Sequence, residues 1–378
     1  MNDNLSEKLK KYDGTLISNH ANISYLLGDF GFSISERECF ILLTKNKKFV
    51  ITDKRYSEAV EKKVKNFEII DSGVGLFFKK TSKDLFEKYK IKKIGFEENN
   101  LTFSEHKALG KFAKLYPVDL SDLRIVKRPD EIKNVRLACS IGDKAFKYIL
   151  KQIKSGVTEI QIASKLEEFI KNKNADISFK PIVAFGKNSS IPHHMSDKTK
   201  LDKNQIVLLD FGVRVDNYCS DMSRTLYFGK APNKFKKMHK TVLLAQTKAI
   251  DYIKGFYSSS EPELVEGESR SSGRDSSQLR SNNKLLAKNI DKVARDYIIE
   301  QGFPNIPHSL GHGIGIEVHE PPSISPGSKV KIKEGMIFSV EPGIYLKNFG
   351  GVRIEDLVLV KKGGIKLLTG SKRELFEL

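Results

Sequence analysis

The sequence is poor in cysteine and has no long apolar run. Its 378 residues include only Cys39, Cys139 and Cys219, far apart and in no CxxC pair. The spacing predicts neither a disulfide framework nor a thiolate zinc site. Apolar runs such as 39–43 and 206–209 stop far short of the roughly 18 residues of a membrane-spanning helix. We therefore expect no membrane partner.

The chain also lacks an apolar segment at its start. The first residues read MNDNLSEKLKKYDG, which is polar and charged. A secretory signal requires an apolar h-region, so we expect none and we expect a cytoplasmic location. Hydrophobic residues make up 39% and charged residues 30% of the chain, which excludes a wholly disordered protein.

Acidic residues are in deficit. There are 65 Lys and Arg against 47 Asp and Glu, for a formal charge of +18. Such an excess can mark a nucleic-acid partner. The lysines are dispersed, however, with no basic tail and no interleaved aromatic and basic motif. This pattern favours a solvated lysine-rich surface and predicts no nucleic-acid partner, although a nucleic-acid site stays open as the alternative.

The length predicts two domains. Between Thr15 and Leu120, β-branched runs alternate with segments of helical period, which predicts an α/β domain over 1–125. Pro129 precedes a long periodic segment and marks a helix start after a connector. The remainder, 126–378, is predicted to be α+β. Its predicted helices cover 130–153, 159–171, 235–254 and 285–301.

Residues 258–284 interrupt the second domain. This stretch is rich in Ser, Glu, Arg and Gly and has no aromatic residue. A segment of that composition cannot bury a core of its own. We expect a flexible surface insertion without a catalytic task.

Two aspartates are expected on one face of a hairpin. Asp216-Asn217 separates two β-rich runs and is a plausible two-residue turn. That turn would make Asp210 and Asp221 diagonal neighbours about 7 Å apart at the backbone. Converging carboxylates repel each other unless a cation lies between them. The alternative is that one aspartate only caps a turn in solvent.

Three of the eight histidines fall within twelve residues, in the stretch HSLGHGIGIEVHE. They are His308, His312 and His319, and glycines between them allow a close approach of the backbone to a ligand. Because histidine is a common metal ligand and proton carrier, the cluster predicts a site rather than three core residues. His308 is the weakest of the three and can serve by positioning the others.

Two glutamates lie in apolar strands. Glu341 ends the run MIFSV and Glu355 lies within GVRIEDLVLV, with a connection short enough for the strands to pair. Buried glutamates need partners. For Glu355, a salt bridge with Arg353 is the structural alternative, although Arg353 shares its strand face and could serve both purposes.

The acidic and histidine residues form an oxygen-rich set that suits divalent manganese, cobalt, iron or zinc. Two such ions roughly 3.5 to 4 Å apart can activate water and polarise a carbonyl together. The predicted chemistry is hydrolysis.

These motifs resemble the pita-bread metallopeptidases, which include aminopeptidase P, prolidase, methionine aminopeptidase and the metal-free creatinase. The resemblance covers nearly the whole chain and implies a creatinase-type N-terminal α/β domain followed by a pita-bread (α+β) catalytic domain. It implies two divalent ions, with Mn²⁺ favoured and Co, Zn or Fe possible. The ligands implied by the resemblance are Asp210, Asp221, His312, Glu341 and Glu355.

The resemblance also implies roles. Asp210 and Glu355 would bridge the ions, and Glu341 would carry a proton from water towards the leaving nitrogen. His193 and His319 would donate hydrogen bonds to the substrate and to the developing oxyanion. Two further residues complete the set, with Arg353 orienting the ligands and His308 lying four residues before a ligand, as in proline-specific members.

Within the family, the complete ligand set argues against creatinase, and the extra N-terminal domain argues against methionine aminopeptidase. We favour an Xaa-Pro aminopeptidase acting on peptides with proline at the second position, because nothing in the sequence shows a blocked cleft. Xaa-Pro dipeptidase (prolidase) is the alternative. A non-catalytic binding module, as in histone-chaperone assemblies, is a third possibility. The resemblance also implies a homodimer.

Overall fold

A computed structural model describes residues 11–33, 36–75, 77–258 and 284–378. The chain divides into two compact units, Met1–Arg124 and Ile125–Leu378. The predicted insertion at 258–284 lies outside the described residues except for its two end positions. Within the described ranges, no helix is both long enough and apolar enough to cross a bilayer.

The first unit is built on a mixed six-stranded sheet with strand order β4-β3-β2-β1-β5-β6. Its strands are β1 Gly14–Ile17, β2 Phe40–Thr44, β3 Lys48–Thr52, β4 Glu68–Asp71, β5 Lys93–Phe96 and β6 Lys114–Pro117. Its α-helices are α1 His20–Leu27, α2 Lys54–Lys63, α3 Ser82–Lys88 and α4 Phe103–Leu109. Ile41 and Leu43 belong to one hydrophobic cluster and Leu42 to another. Because successive side chains point to opposite faces of a strand, both faces of this sheet are buried.

The second unit combines several small sheets with longer helices. The helices are α5 Pro129–Leu150, α6 Glu159–Lys171, α7 Asn233–Ser258 and α8 Ala287–Glu300. The strands up to the middle of the unit are β7 Asp176–Ile177, β8 Ile182–Phe185, β9 Gln205–Phe211, β10 Val213–Val215, β11 Tyr218–Cys219 and β12 Met222–Phe228. The later strands are β13 Gly311–Gly313, β14 Glu320–Ile324, β15 Ile337–Val340, β16 Gly343–Leu346, β17 Gly350–Arg353, β18 Asp356–Lys361 and β19 Gly364–Leu367.

Local signals in the sequence define the starts of α5 and α6. Pro129 is the first residue of α5, a position where its missing N–H is not needed. At α6, Thr158 Oγ1 accepts the Gln161 N–H at 3.2 Å, and Gln161 Oε1 accepts the Thr158 N–H at 2.9 Å. This capping box satisfies two backbone donors and places Glu159 at the first position of the helix.

The ribbon formed by β9 to β12 turns at Asp216 and Asn217. Both residues have positive φ, +45° and +70°, as a type I′ turn requires. Val215 pairs with Tyr218, and the same register continues to the pair of Asp210 with Ser223. The predicted two-residue turn and its register are therefore confirmed.

Alternation along this ribbon directs its acidic side chains away from the helices. Leu209 and Phe211 on β9 and Met222 on β12 join a hydrophobic core with α5 and α6. The neighbouring Asp210 and Asp221 therefore lie on the opposite face.

A five-stranded sheet, ordered β14-β13-β15-β18-β19, forms the other part of the unit. Val340 pairs with Asp356, and Gly343 pairs with Arg353 in the same register. The register therefore places Glu341 opposite Glu355. The prediction that the strands of these two glutamates pair is confirmed.

Candidate metal centre

Asp210 and Asp221 are buried, at 8% and 5% exposure. Asp210 precedes Phe211, the last residue of β9, and its Oδ2 accepts a hydrogen bond from Arg353 Nη2 at 2.5 Å. Oδ2 of Asp221 lies 3.8 Å from His312 Nε2. The aspartates thus have different neighbours while sharing one face of the ribbon.

His312 lies on β13 with its Nε2 directed at the carboxylates. Its Nδ1 is 3.1 Å from the Gly313 carbonyl oxygen, and because a carbonyl only accepts, Nδ1 carries the proton of this bond. Nε2 lies 3.2 Å from Glu341 Oε1. Burial lowers the pKa of His312, but the hydrogen bond and charge of Glu341 outweigh it and raise the pKa to about 9. A neutral ring in this tautomer would offer the Nε2 lone pair to a metal.

A glycine allows β13 to approach its neighbour. A Cβ on Gly311 would lie 1.9 Å from the Ser339 carbonyl oxygen, so no larger residue fits without moving the strand. The close approach lets Ser339 Oγ accept the His312 N–H at 3.0 Å and donate to Glu341 Oε1 at 3.1 Å. One serine hydroxyl thus joins a histidine to a glutamate.

Glu355 lies between β17 and β18 and is 1% exposed. Its Oε2 accepts a hydrogen bond from Ser223 Oγ at 2.8 Å, and its backbone N–H donates to the Ser223 carbonyl at 3.1 Å. Burial raises the pKa of Glu355 well above its usual value, and the charges of Glu341 and Asp210 add to the effect. Burial and the charges of Glu355 and Asp210 likewise raise the pKa of Asp221.

These residues fit divalent cations. Among the carboxylates of Asp210, Asp221, Glu341 and Glu355, three buried oxygens have no hydrogen-bond partner within the described residues: Asp210 Oδ1, Asp221 Oδ1 and Glu355 Oε1. Ligand atoms of Asp221, His312 and Glu355 lie within 4.8 Å of one another. Buried carboxylates that repel each other and keep free lone pairs are stabilised by a cation. Oxygen ligands with one imidazole suit divalent transition metals.

Arg353 forms hydrogen bonds and an ion pair at the edge of this cluster of carboxylates. Its Nε donates to Ser223 Oγ at 2.9 Å, and its Nη1 donates to Tyr345 Oη at 2.8 Å. Its ion pair is with Asp210, rather than the salt bridge with Glu355 that the sequence left open. His308 Nε2 lies 3.0 Å from the same Tyr345 hydroxyl. His308 is therefore connected to the cluster through Tyr345 and Arg353.

All nine residues singled out from the sequence line one cavity of about 720 Å³. They are Asp210, Asp221, His312, Glu341, Glu355, His193, His308, His319 and Arg353. The His319 ring packs edge-on against His312 with centroids 4.3 Å apart, and burial lowers the pKa of His319. His193 is exposed at the cavity. Phe179, Ile182 and Val318 add apolar surface.

Sequence reasoning missed Tyr345, Ser223 and Ser339, whose hydroxyls connect the charged residues. One signal for Tyr345 is its partner across the β16–β17 pair, Gly351. A Cβ at Gly351 would lie 2.7 Å from the Tyr345 ring. The two serines carry no comparable signal, since buried serines are common.

Comparison with known proteins identifies the family of the chain. The profile of Metallopeptidase family M24 matches residues 133–261 and 277–362, and the Creatinase/Prolidase N-terminal domain matches residues 5–127. The uncharacterized peptidase YqhT of Bacillus subtilis is 34% identical over 97% of this chain and 96% of its own.

Two solved structures are similar over the whole chain. The Xaa-Pro dipeptidase from Bacillus anthracis has a TM-score of 0.85 and 32% identity, covering 100% of this chain and 98% of its own. The X-Pro aminopeptidase from Thermotoga maritima has a TM-score of 0.81 and 31% identity, covering 99% and 100%. These matches confirm the resemblance and the predicted fold class, an α/β N-terminal domain followed by a pita-bread catalytic domain. The chain belongs to metallopeptidase family M24.

Proposed function

We propose that this chain is an Xaa-Pro aminopeptidase that uses two divalent ions, with Mn²⁺ favoured, to remove the first residue from peptides with proline second. The observation that carries the proposal is the cavity in which three unpaired carboxylate oxygens converge beside a histidine. Membership of family M24 implies divalent metal ions. The cavity volume of about 720 Å³ lies in the upper part of the roughly 300–1,000 Å³ range of small-molecule sites. It therefore leaves room for residues beyond a dipeptide.

The ions would be held by the five residues implied by the resemblance, Asp210, Asp221, His312, Glu341 and Glu355. Asp210 and Glu355 each have one oxygen already hydrogen-bonded and one oxygen without a partner within the described residues, which would be open to an ion. When bound, the pair supplies Lewis acidity for the scissile carbonyl and a water nucleophile at neutral pH.

Glu341 is proposed to move the proton. The hydrogen bond and charge of His312 lower the pKa of Glu341 against the opposing effect of burial, so its carboxylate is ready to accept a proton from water. The leaving nitrogen of an Xaa-Pro bond belongs to a tertiary amide, and it must be protonated to depart as the amine of proline. General acid-base catalysis of this kind contributes roughly 10² to 10⁴ in rate.

His193 and His319 are proposed to donate hydrogen bonds to the substrate carbonyl and the developing oxyanion, because both line the cavity beside the carboxylates. Removal of one such donor typically lowers turnover by about 10² to 10³. His308 and Arg353 are proposed to position Asp210, since Arg353 contacts Asp210 and Tyr345 joins Arg353 to His308. A homodimer and a cytoplasmic location stay predictions.

Xaa-Pro dipeptidase is the second candidate. The Xaa-Pro dipeptidase from Bacillus anthracis is 32% identical to this chain, and the X-Pro aminopeptidase from Thermotoga maritima is 31% identical. Hydrolysis of an Xaa-Pro dipeptide, an Xaa-Pro-Yaa tripeptide and longer peptides separates the two. We expect the tripeptide and longer peptides to be cleaved at least as efficiently as the dipeptide. Cleavage of the dipeptide alone would support the dipeptidase.

The metal requirement is tested on the same substrates. Chelation should abolish turnover and Mn²⁺ should restore it. No turnover with any divalent ion would instead support a binding module. Salt-dependent retention on DNA at physiological ionic strength would revive the nucleic-acid alternative.

A further inference from the structure

The carboxylate of Glu159 is a fully buried anchor at the start of α6. Its side chain is 0% exposed. Oε1 accepts the Phe185 N–H at 2.7 Å and Asn188 Nδ2 at 3.0 Å. Oε2 lies 2.7 Å from His194 Nε2 and accepts the Asp197 N–H at 3.0 Å. One carboxylate therefore forms hydrogen bonds with both ends and with the middle of the segment 185–197.

The cluster of Glu159, His194 and Asp197 holds the segment 185–197 by hydrogen bonds. Ligand atoms of Glu159, His194 and Asp197 do lie within 4.8 Å of one another. Both oxygens of Glu159, however, are already occupied by nitrogen donors, and Asp197 Oδ1 accepts the Thr199 N–H at 2.6 Å. The lone pairs that a metal would need are engaged in hydrogen bonds.

The anchored segment carries His193. Residues 191–194 form a turn that is closed by a hydrogen bond from the His194 N–H to the Ile191 carbonyl at 3.2 Å. His194 points to Glu159, while His193 lines the cavity. The Pro192 carbonyl also accepts a bond from Arg353 Nη1 at 3.2 Å. The segment is thus held from the α6 side by Glu159 and from the cavity side by Arg353.

We propose that the Glu159–His194 pair is a positioning device that directs His193 towards the substrate. The proposal rests on the proposed function for the role of His193. His194 touches no reacting atom in this arrangement. Its contribution is to fix the backbone of the residue before it.

A double-mutant cycle on the metal-loaded full chain tests the proposal. We expect H193A to lower kcat by about 10² and H194A to lower kcat roughly tenfold, both with full metal content. The double variant should stay within threefold of H193A, because residues that act through one another are not additive. H194Q keeps an N–H donor and should recover most of the loss. The matched control is H106A, which replaces a histidine on α4 that packs against Phe96. This variant should leave kcat unchanged.

Amide hydrogen exchange measures how the Glu159–His194 pair restrains the backbone, without relying on turnover. In E159Q and H194A, peptides covering 185–197 should exchange at least tenfold faster, while peptides of α7 stay at the native rate. Unchanged exchange in these variants overturns the proposal, even if the protein proves to have no peptidase activity. A lack of peptidase activity would count separately against the proposed function.

Two kinetic results and one measurement of metal content would also overturn it. The first is a kcat of H194A equal to that of the native chain. The second is a loss in the double variant equal to the product of the single losses, since the two residues would then act independently. The third is the loss of a bound ion on H194A, which would make the cluster a metal site.

Discussion

Replacement of Ser339 by alanine tests how the centre is held together. Ser339 is 0% exposed, and its hydroxyl both accepts the His312 N–H and donates to Glu341 Oε1. Alanine removes both bonds without changing the strand, leaving a buried N–H and a buried carboxylate each short of a partner. Both proposed ligands should become less well oriented.

The magnitude follows from these two bonds. A hydrogen bond to a charged group contributes about 1.5–3 kcal/mol and a neutral one about 0.5–1.5 kcal/mol, so S339A should lower the free energy of unfolding by roughly 2–4 kcal/mol. In a domain of this size, that corresponds to a fall in Tm of about 5–15 °C. Loss of a residue that orients metal ligands should also weaken Mn²⁺ binding by roughly 10- to 100-fold.

Thermal unfolding of the chelated protein and calorimetric titration with Mn²⁺ measure the two effects. S82A is the matched control: Ser82 is also 0% exposed, but its hydroxyl has no hydrogen-bond partner within the described residues. S82A should therefore change neither quantity appreciably. If S339A behaves like S82A, with Mn²⁺ affinity within twofold of native, the hydroxyl does not orient His312 and Glu341.

Three further predictions concern catalysis, pH and the insertion. E341A should abolish turnover and weaken metal loading, and near-native rates would contradict the proton-transfer role. Burial lowers the pKa of His239 to about 4, whereas the pKa of a histidine in the unfolded chain is about 6.5. The stabilising contribution of the neutral His239 is thus fully present above the unfolded pKa. The free energy of unfolding falls by up to about 1.4 kcal/mol per pH unit as the pH drops from about 6.5 towards 4. H239Q should flatten the dependence of unfolding free energy on pH in that window, and an unchanged slope would refute it. Joining Ser258 directly to Lys284 should leave kcat intact, and a large loss would show that the intervening residues contact the cleft.

Short-range signals account for the parts of the structure that the sequence predicts well. The turn at Asp216-Asn217 fixes a register that runs unchanged to Asp210, because the side-chain period of a strand is two. The helix Glu159–Lys171 has the predicted bounds, since Thr158 and Gln161 form its cap.

The remaining features depend on contacts between distant residues. Strand β1 ends at Ile17 because Asn19 caps α1. Glu97, 78 residues later, accepts the Asn19 N–H at 2.7 Å. The ion pair of Arg353 is with Asp210, which lies 143 residues earlier in the sequence. Spacing along the strand of Arg353 could indicate only a nearby partner, Glu355. The fold also brings the Tyr345 hydroxyl to His308, 37 residues earlier, and the Ser339 hydroxyl to His312, 27 residues earlier.

Elemental analysis, together with anomalous diffraction from crystals grown with Mn²⁺, measures how many ions the chain binds and which residues hold them. We expect two ions per chain, bound by Asp210, Asp221, His312, Glu341 and Glu355. A chain that binds no ion at these five residues, or that binds Mn²⁺ only at Glu159, His194 and Asp197, would contradict this expectation.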